Sequence, residues 1–257
     1  LVRAAVATGA PVAVVLVSGR PLVVEEWIEE PGAVLAAWHL GTTAPGVIAD
    51  VLTGAVNPSG RLPMGFPRHE GQLPAVYDAH ENTGRPASRG GQMIEPAFDM
   101  GLDGPANLQE FFTSKYRDLP LGPRFRLGHG LSYTSFEYRG AALSRPVVSL
   151  AELGAGVDVS VTVANTGERD GDDVVLLFTR DVLASLAPAV RRLAGFQRVS
   201  VPAGGEAGAS FRIARRHLAL WDDEGPDGAG WRVEPGDFEI RIGPDPDAPP
   251  LLLTVTA

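Results

Sequence analysis

Residues 157–165, VDVSVTVAN, place valine at every second position with polar or small residues between. That period fits a strand with one face on a core and the other in water, and it cannot be satisfied by a helix. NTGERDG (165–171) supplies turn chemistry, VVLLFTRD (174–181) reads as the next strand, and AGASFRI (207–213) and GDFEIRIG (236–243) repeat the pattern. Several short strands separated by Gly, Pro, Asn and Asp turns, with no long amphipathic helix, predict an antiparallel β-sandwich of roughly 100 residues. Trp221, Trp231 and Phe238 suit either its core or an interface, and the core is the expectation.

The first half obeys a different rule. PVAVVLV (11–17) is continuously apolar and β-branched, as a parallel strand buried on both faces should be. Val34 to Trp38 is a second candidate strand. Pro45 to Thr53 reads as a helix, with Pro45 suited to the first turn and Gly54 to the stop. Strand, connection, strand, helix is the alternation of a parallel sheet. The expected class is therefore α/β followed by all-β, with the boundary between residues 137 and 150: an α/β unit with a largely parallel sheet over 1–140 and the sandwich over 141–257. The chain opens at Leu1 within a helix-like run that leads straight into a core strand, so further sequence is expected upstream.

Charge and composition remove several functions. The net charge is −9 without a lysine- or arginine-rich face, which argues against nucleic acid and anionic membranes as partners. The longest apolar run is strand-sized, well short of the about 20 residues of a membrane span. Cysteine is absent, excluding disulfides, thiol nucleophiles and cysteine-ligated metals. The histidines at 39, 69, 80, 129 and 217 lack metal-ligand spacing, and RDGDD (169–173) reads as a turn rather than a calcium loop. No cofactor is expected.

Three stretches, in order, carry a family resemblance: WHLGTTAPGVIADVLTGAVNPSGRLPMGFP (38–67), PRFRLGHGLSYTSFEY (123–138), and LAGFQRVSVPAGGEAGASFRI (193–213) with WRVEPGDFEIRIG (231–243). Together they resemble the C-terminal portion of a family 3 glycoside hydrolase of the bacterial β-glucosidase type, in which an α/β sandwich domain precedes a fibronectin type III-like domain. The sequence departs from that pattern at Thr43, usually glutamate, at His39, usually aromatic, and at His129, usually phenylalanine or tyrosine. The resemblance makes LAPAVRRLAGF (186–196) an extended connection across the sandwich rather than a basic helix. NPSGRLPMGFP (57–67) is read as architecture: a helix stop at Asn57 and Pro58, a turn at Ser59 and Gly60, and a short edge strand at Leu62, Met64 and Phe66.

The resemblance also implies a division of labour. Retaining glycosidases need two carboxyl groups about 5–5.5 Å apart, one a nucleophile and the other an acid and then a base. In the resembled family these lie upstream, in a TIM-type barrel and ahead of the segments present here, so no catalytic residue is assigned. Glu25, Glu26, Glu29 and Glu30 in EEWIEE read as a solvated charge run, and Asp50 as a structural hydrogen-bonding residue of the helix. The irregular region from about 68 to 127 is where binding residues are expected. Asn82 and Arg85 in HENTGRP, and Ser114, Lys115, Tyr116 and Asp118 in FFTSKYRD, offer the amide, guanidinium, carboxylate and aromatic groups that sugars pair with. The alternative is that NTGRP is a turn and SKY an edge strand. SGRP (18–21), after the first strand, is either a tight turn or a ligand-facing loop.

The function expected is a share of an exo-acting, retaining β-glucosidase-like hydrolase. Its substrate would be a terminal non-reducing β-linked glycoside, and the upstream barrel would be its partner. The alternative is a non-catalytic carbohydrate-binding or interaction protein; an adhesion module would explain only the second half. Localisation stays open, with a periplasmic or secreted location favoured over the cytoplasm.

Overall fold

A computed structural model describes residues 1–73, 122–186, 189–225, 228–244 and 248–257. In the first half, helix α1 (Val2–Val6) leads into β1 (Ala13–Leu16), which pairs in parallel with β2 (Ala33–Ala36), Ala13 opposite Ala33 and Leu16 opposite Ala36. Helix α2 (Ala44–Thr53) carries proline in its first turn and ends at Gly54 with φ 77°. That left-handed stop strains any residue with a Cβ.

The apolar run 11–17 is not buried on both faces. Ala13 and Val17 are exposed and Val14 to Leu16 half-buried. The reason is that β2 is the one strand paired with β1 among the described residues, which hold a single parallel pair in this half rather than a wider sheet.

The second half contains β3 (Phe136–Leu143), β4 (Val147–Ser149), β5 (Val157–Asn165), β6 (Gly171–Asp181), β7 (Arg192–Val201), β8 (Glu206–Ile213), β9 (Leu220–Asp222), β10 (Gly230–Arg232), β11 (Gly236–Ile242) and β12 (Leu251–Thr256). A three-stranded sheet runs β3-β5-β8 and a five-stranded sheet runs β4-β12-β11-β6-β7. Their pairings are antiparallel except that of β4 with β12, which is parallel. The segment expected as an extended connection supplies β7, at the edge of the larger sheet.

The alternation that predicted β5 is the alternation of burial. Val157, Val159, Val161 and Val163 point into the core with Val175, Leu177, Phe238, Ile240 and Leu253 from the facing sheet, while Asp158 and Ser160 face water. Each such apolar side chain stabilises the fold by roughly 1.5–3 kcal/mol. Phe238 is a core residue as expected, but Trp221 and Trp231 are exposed. They sit directly opposite each other on the β9–β10 hairpin, which among the described residues pairs only with itself and lies off the core.

NPSGRLPMGFP runs antiparallel to residues 124–129. Leu62 N donates to His129 O and Gly128 N to Leu62 O, both at 2.8 Å, and Phe66 N donates to Phe125 O at 2.8 Å. The expected edge strand is reduced to an isolated bridge between Phe66 and Phe125, because Pro63 and Pro67 bring no N–H to a ladder.

Candidate functional site

The carboxyl ends of β1 and β2 open onto a small hollow lined by Ser18, Arg20, Leu22, Trp38 and Phe66, with Leu16 and Ala36 behind. Parallel strands present their loops at this end. The SGRP turn is fixed from within: Ser18 Oγ donates to Arg20 O at 2.9 Å, and Arg20 N donates back to Ser18 Oγ at 3.3 Å. At the end of β2 the backbone of Trp38 has φ 52°, the one positive value for a non-glycine residue among those described. Such a conformation costs of order 1–3 kcal/mol and persists only where the surroundings enforce it. The Trp38 ring meets Phe66 edge-on at 6.0 Å, Phe66 meets Phe125 at 6.4 Å, and Phe125 stacks on His129 at 4.6 Å. A row of rings thus joins the hollow to the GHGLSYT segment, and His129 occupies the place of the usual aromatic as a stacking ring.

Beside this row lies an ion-pair cluster. Arg68 Nη1 contacts Glu25 Oε1 at 2.5 Å, Arg124 Nε lies 3.8 Å from Glu25 Oε2, and Arg124 Nη2 pairs with Glu29. The EEWIEE run is therefore not merely a solvated face: Glu25 and Glu29 hold two arginines 43 or more residues along the chain. Asp50 is exposed, and the hydrogen bonds made there go to its main-chain carbonyl, from Val56 N at 3.0 Å and Thr53 Oγ1 at 3.4 Å.

The same cluster frames the ends of the segment that carries the sequence-predicted binding residues. Arg68 N donates to Gln72 Oε1 at 2.7 Å, and Gln72 Nε2 donates to Gly122 O at 3.2 Å. Residues 74–121 leave and rejoin the described structure here. Asn82, Arg85, Ser114, Lys115, Tyr116 and Asp118 all lie outside the described residues.

A second polar assembly, not foreseen from the sequence, joins the two halves. Arg61, in the middle of NPSGRLPMGFP, directs Nε and Nη2 at Asp173 Oδ1 at 2.9 and 2.6 Å and Nη1 at Gly130 O. Asp173 is completely buried, and it also accepts from Tyr138 OH at 2.7 Å and Val174 N at 2.8 Å. Burial, and then the charge of Asp173, push the Tyr138 phenol far above its usual range. RDGDD thus ends in the first residues of β6, one of which anchors an ion pair. Asn57 receives Ser132 Oγ at 2.9 Å and Tyr133 N at 2.8 Å and donates to Asp170 O at 3.0 Å. Arg169 donates to Gly54 O at 2.6 Å and lies over the Tyr133 ring. Gly130 is glycine because a Cβ there would run into the Gly60 carbonyl.

Chemically, the hollow offers a guanidinium, a hydroxyl and an indole. Such groups can hydrogen-bond a small polar partner but do not break bonds, and no carboxylate lines the hollow. Among the described residues no group of three or more His, Asp or Glu side chains is placed to hold a metal ion, and no helix is long and apolar enough to cross a membrane.

Comparison with known proteins places these features. The family model described as glycosyl hydrolase family 3 C-terminal domain matches residues 1–133, and that of the fibronectin type III-like domain matches residues 173–245. The chain is 37% identical over 245 residues to the periplasmic beta-glucosidase of Salmonella typhimurium, covering 95% of this chain and 29% of that protein. It is 35% identical over 243 residues to a beta-xylosidase of Formosa agariphila, with coverage of 95% and 29%. The solved structure of beta-glucosidase from Listeria innocua in complex with gluconolactone superposes with a TM-score of 0.84 at 30% identity, covering 100% of this chain and 32% of that one. The chain spans about 29% of the length of these curated relatives.

Proposed function

The chain belongs to glycosyl hydrolase family 3, and from that premise we propose that it is the C-terminal share of a retaining, exo-acting β-glucosidase-like enzyme that removes terminal non-reducing β-D-glycosyl residues. One observation carries this reading. Both domain models match in order, and the alignment to the Salmonella beta-glucosidase covers 95% of this chain yet only 29% of that protein's length. The two carboxyl groups that retaining hydrolysis requires then belong to the remainder of a protein of the relatives' length, together with an upstream TIM-type barrel. The present residues supply the pocket wall and the scaffold.

Within that division the hollow behind Trp38 and the arginine–glutamate cluster form the wall. Asn82, Arg85, Ser114, Lys115, Tyr116 and Asp118 stand in this proposal as sugar contacts, because their groups bond adjacent hydroxyls and cover an apolar ring face. A periplasmic or secreted location is in keeping with the periplasmic beta-glucosidase of Salmonella typhimurium. The apolar side chains that the α/β half leaves exposed, Val17, Val47 and Leu52 among them, are the surface against which the rest of such an enzyme would pack.

The test is turnover of an aryl β-glucoside by the purified 257-residue chain. No nitrophenol release above background is expected. Clear release, abolished by changing one of the chain's own carboxylates, would sink the proposed division of labour.

A further inference from the structure

Two tryptophans stand where folding alone gives little reason for them. Trp221 and Trp231 face each other across the β9–β10 hairpin, are 45% and 65% exposed, and lie outside the sandwich core. Exposed tryptophan promotes aggregation and is normally sparse on a soluble surface unless a ligand uses it. A cross-strand aromatic pair stabilises a hairpin, but that role leaves the outer faces of both rings unused.

Their surroundings fix the rings as a rigid corner. The centroids are 5.6 Å apart with planes at 73°, so one ring presents a face beside the edge of the other. Trp221 Nε1 donates to Asp223 Oδ1 at 2.6 Å, which sets its orientation. The Arg192 guanidinium lies 5.9 Å over Trp231 and is itself tied to Ala219 O at 2.5 Å. Arg192 covers one face of Trp231, and the 65% exposure of that residue leaves the other open to solvent. At the rim are the exposed carboxylates of Asp223 and Glu224.

We propose that this corner binds a neutral β-linked gluco-oligosaccharide chain. A pyranose carries a C–H-rich face that packs on an aromatic ring and an equatorial belt of hydroxyls that bond carboxylate and guanidinium groups. The exposed ring surface and the carboxylate of Asp223 supply both halves of that demand within one corner, while Arg192 backs the opposite face of Trp231. A second copy of the chain fits less well. A symmetric contact would bring the exposed carboxylates of Asp223 and Glu224 against themselves, on a chain of net charge −9. That the ligand is a neutral glycan is argued from this surface, and that it is a β-linked glucan rests on the proposed glycosidase function.

The experiment is electrophoresis of the full chain in native gels containing soluble mixed-linkage β-glucan, with α-linked dextran as control. Retardation by β-glucan alone is expected, with Trp231→Ala weakening it by about tenfold, the loss of one well-stacked ring. As a measurement independent of any variant, β-glucan should protect the tryptophan fluorescence of the unaltered chain from acrylamide quenching. Unchanged quenching, or equal retardation of the variant and the unaltered chain, overturns the proposal. A dimer seen by sedimentation and dissolved by Trp231→Ala also overturns it, assigning the corner to self-association. Binding is read without turnover, so a negative result here leaves the nitrophenol test untouched, and the converse holds.

Discussion

The β-sandwich and the α/β half differ in how completely each closes its apolar surface. In the sandwich, Val157, Val159 and Val163 of β5 and Leu253, Ile240 and Phe238 of the opposing sheet are at most 1% exposed. Two sheets face each other, and the period-2 pattern of one meets that of the other. The α/β half buries Val24, Ala37, Val51 and Phe66, but leaves Val17, Val47, Leu52 and Val56 between 43% and 63% exposed. One half satisfies itself. The other leaves apolar surface open and is tied to the sandwich at the seam, where NPSGRLPMGFP and GHGLSYT meet β6. The difference teaches that the most regular motif of the first half serves the junction rather than a core of its own.

The largest expected effect tests that junction. Arg61→Ala would leave Asp173 fully buried with its tyrosine and main-chain bonds but without its counter-charge, and breaking a buried pair from one side costs about 3–5 kcal/mol. Urea unfolding followed by circular dichroism should show the loss in the sandwich transition, although Arg61 lies in the other half. A change under about 1 kcal/mol, the range of exposed pairs, would mean that the seam contributes little and that the halves are energetically independent.

A smaller effect sharpens the contrast from the other side. Val47 is apolar and 43% exposed on α2, so Val47→Ser should change the stability of this chain by no more than about 0.5 kcal/mol. The same substitution at Val159, which is 0% exposed in the sandwich, should destabilise by several times that amount. If Val47→Ser proves as costly, the α/β half has a core of its own and the comparison fails. Differential scanning calorimetry of both variants gives the answer.

The sandwich was legible because its information is local. Alternation along VDVSVTVAN states which residues face inward, and Asn, Gly and Pro state where the strand stops. Helix α2 was legible for the same reason, between Pro45 and Gly54. The seam was not legible, because Arg61 and Asp173 are separated by 112 residues and neither carries a local signal; an aspartate in RDGDD looks like turn chemistry until a guanidinium is found beside it. The positive φ of Trp38 was likewise hidden, since tryptophan gives no hint of a left-handed backbone. Trp221 and Trp231 misled in the opposite way: composition sends tryptophan to the core, whereas a two-stranded hairpin off the sheets has no core to offer. Glu25 and Glu29 show how a charge run conceals its partners until Arg68 and Arg124 fold back onto it.

The smallest effect is a slope rather than a step, and it arises at the seam. Partial burial against Phe125, and then the charge of Arg61, hold the His129 imidazole below its usual value. The residue keeps a solvent-exposed edge, so the effect is modest. The unfolded chain takes up its proton near pH about 6.5, before the folded chain does. The unfolded state therefore binds more protons in the window just below that pH, and stability falls as the pH is lowered through it. His217 acts in the same direction within the sandwich, through burial and then Arg216 and Arg192. His129→Phe preserves a ring to stack on Phe125 and removes the seam's share. Urea midpoints should then coincide for the variant and the unaltered chain at pH about 8 and diverge below about 6.5, with the variant the more stable. Parallel lines across the range would place the whole acid response in the sandwich and remove His129 from the electrostatics of the junction.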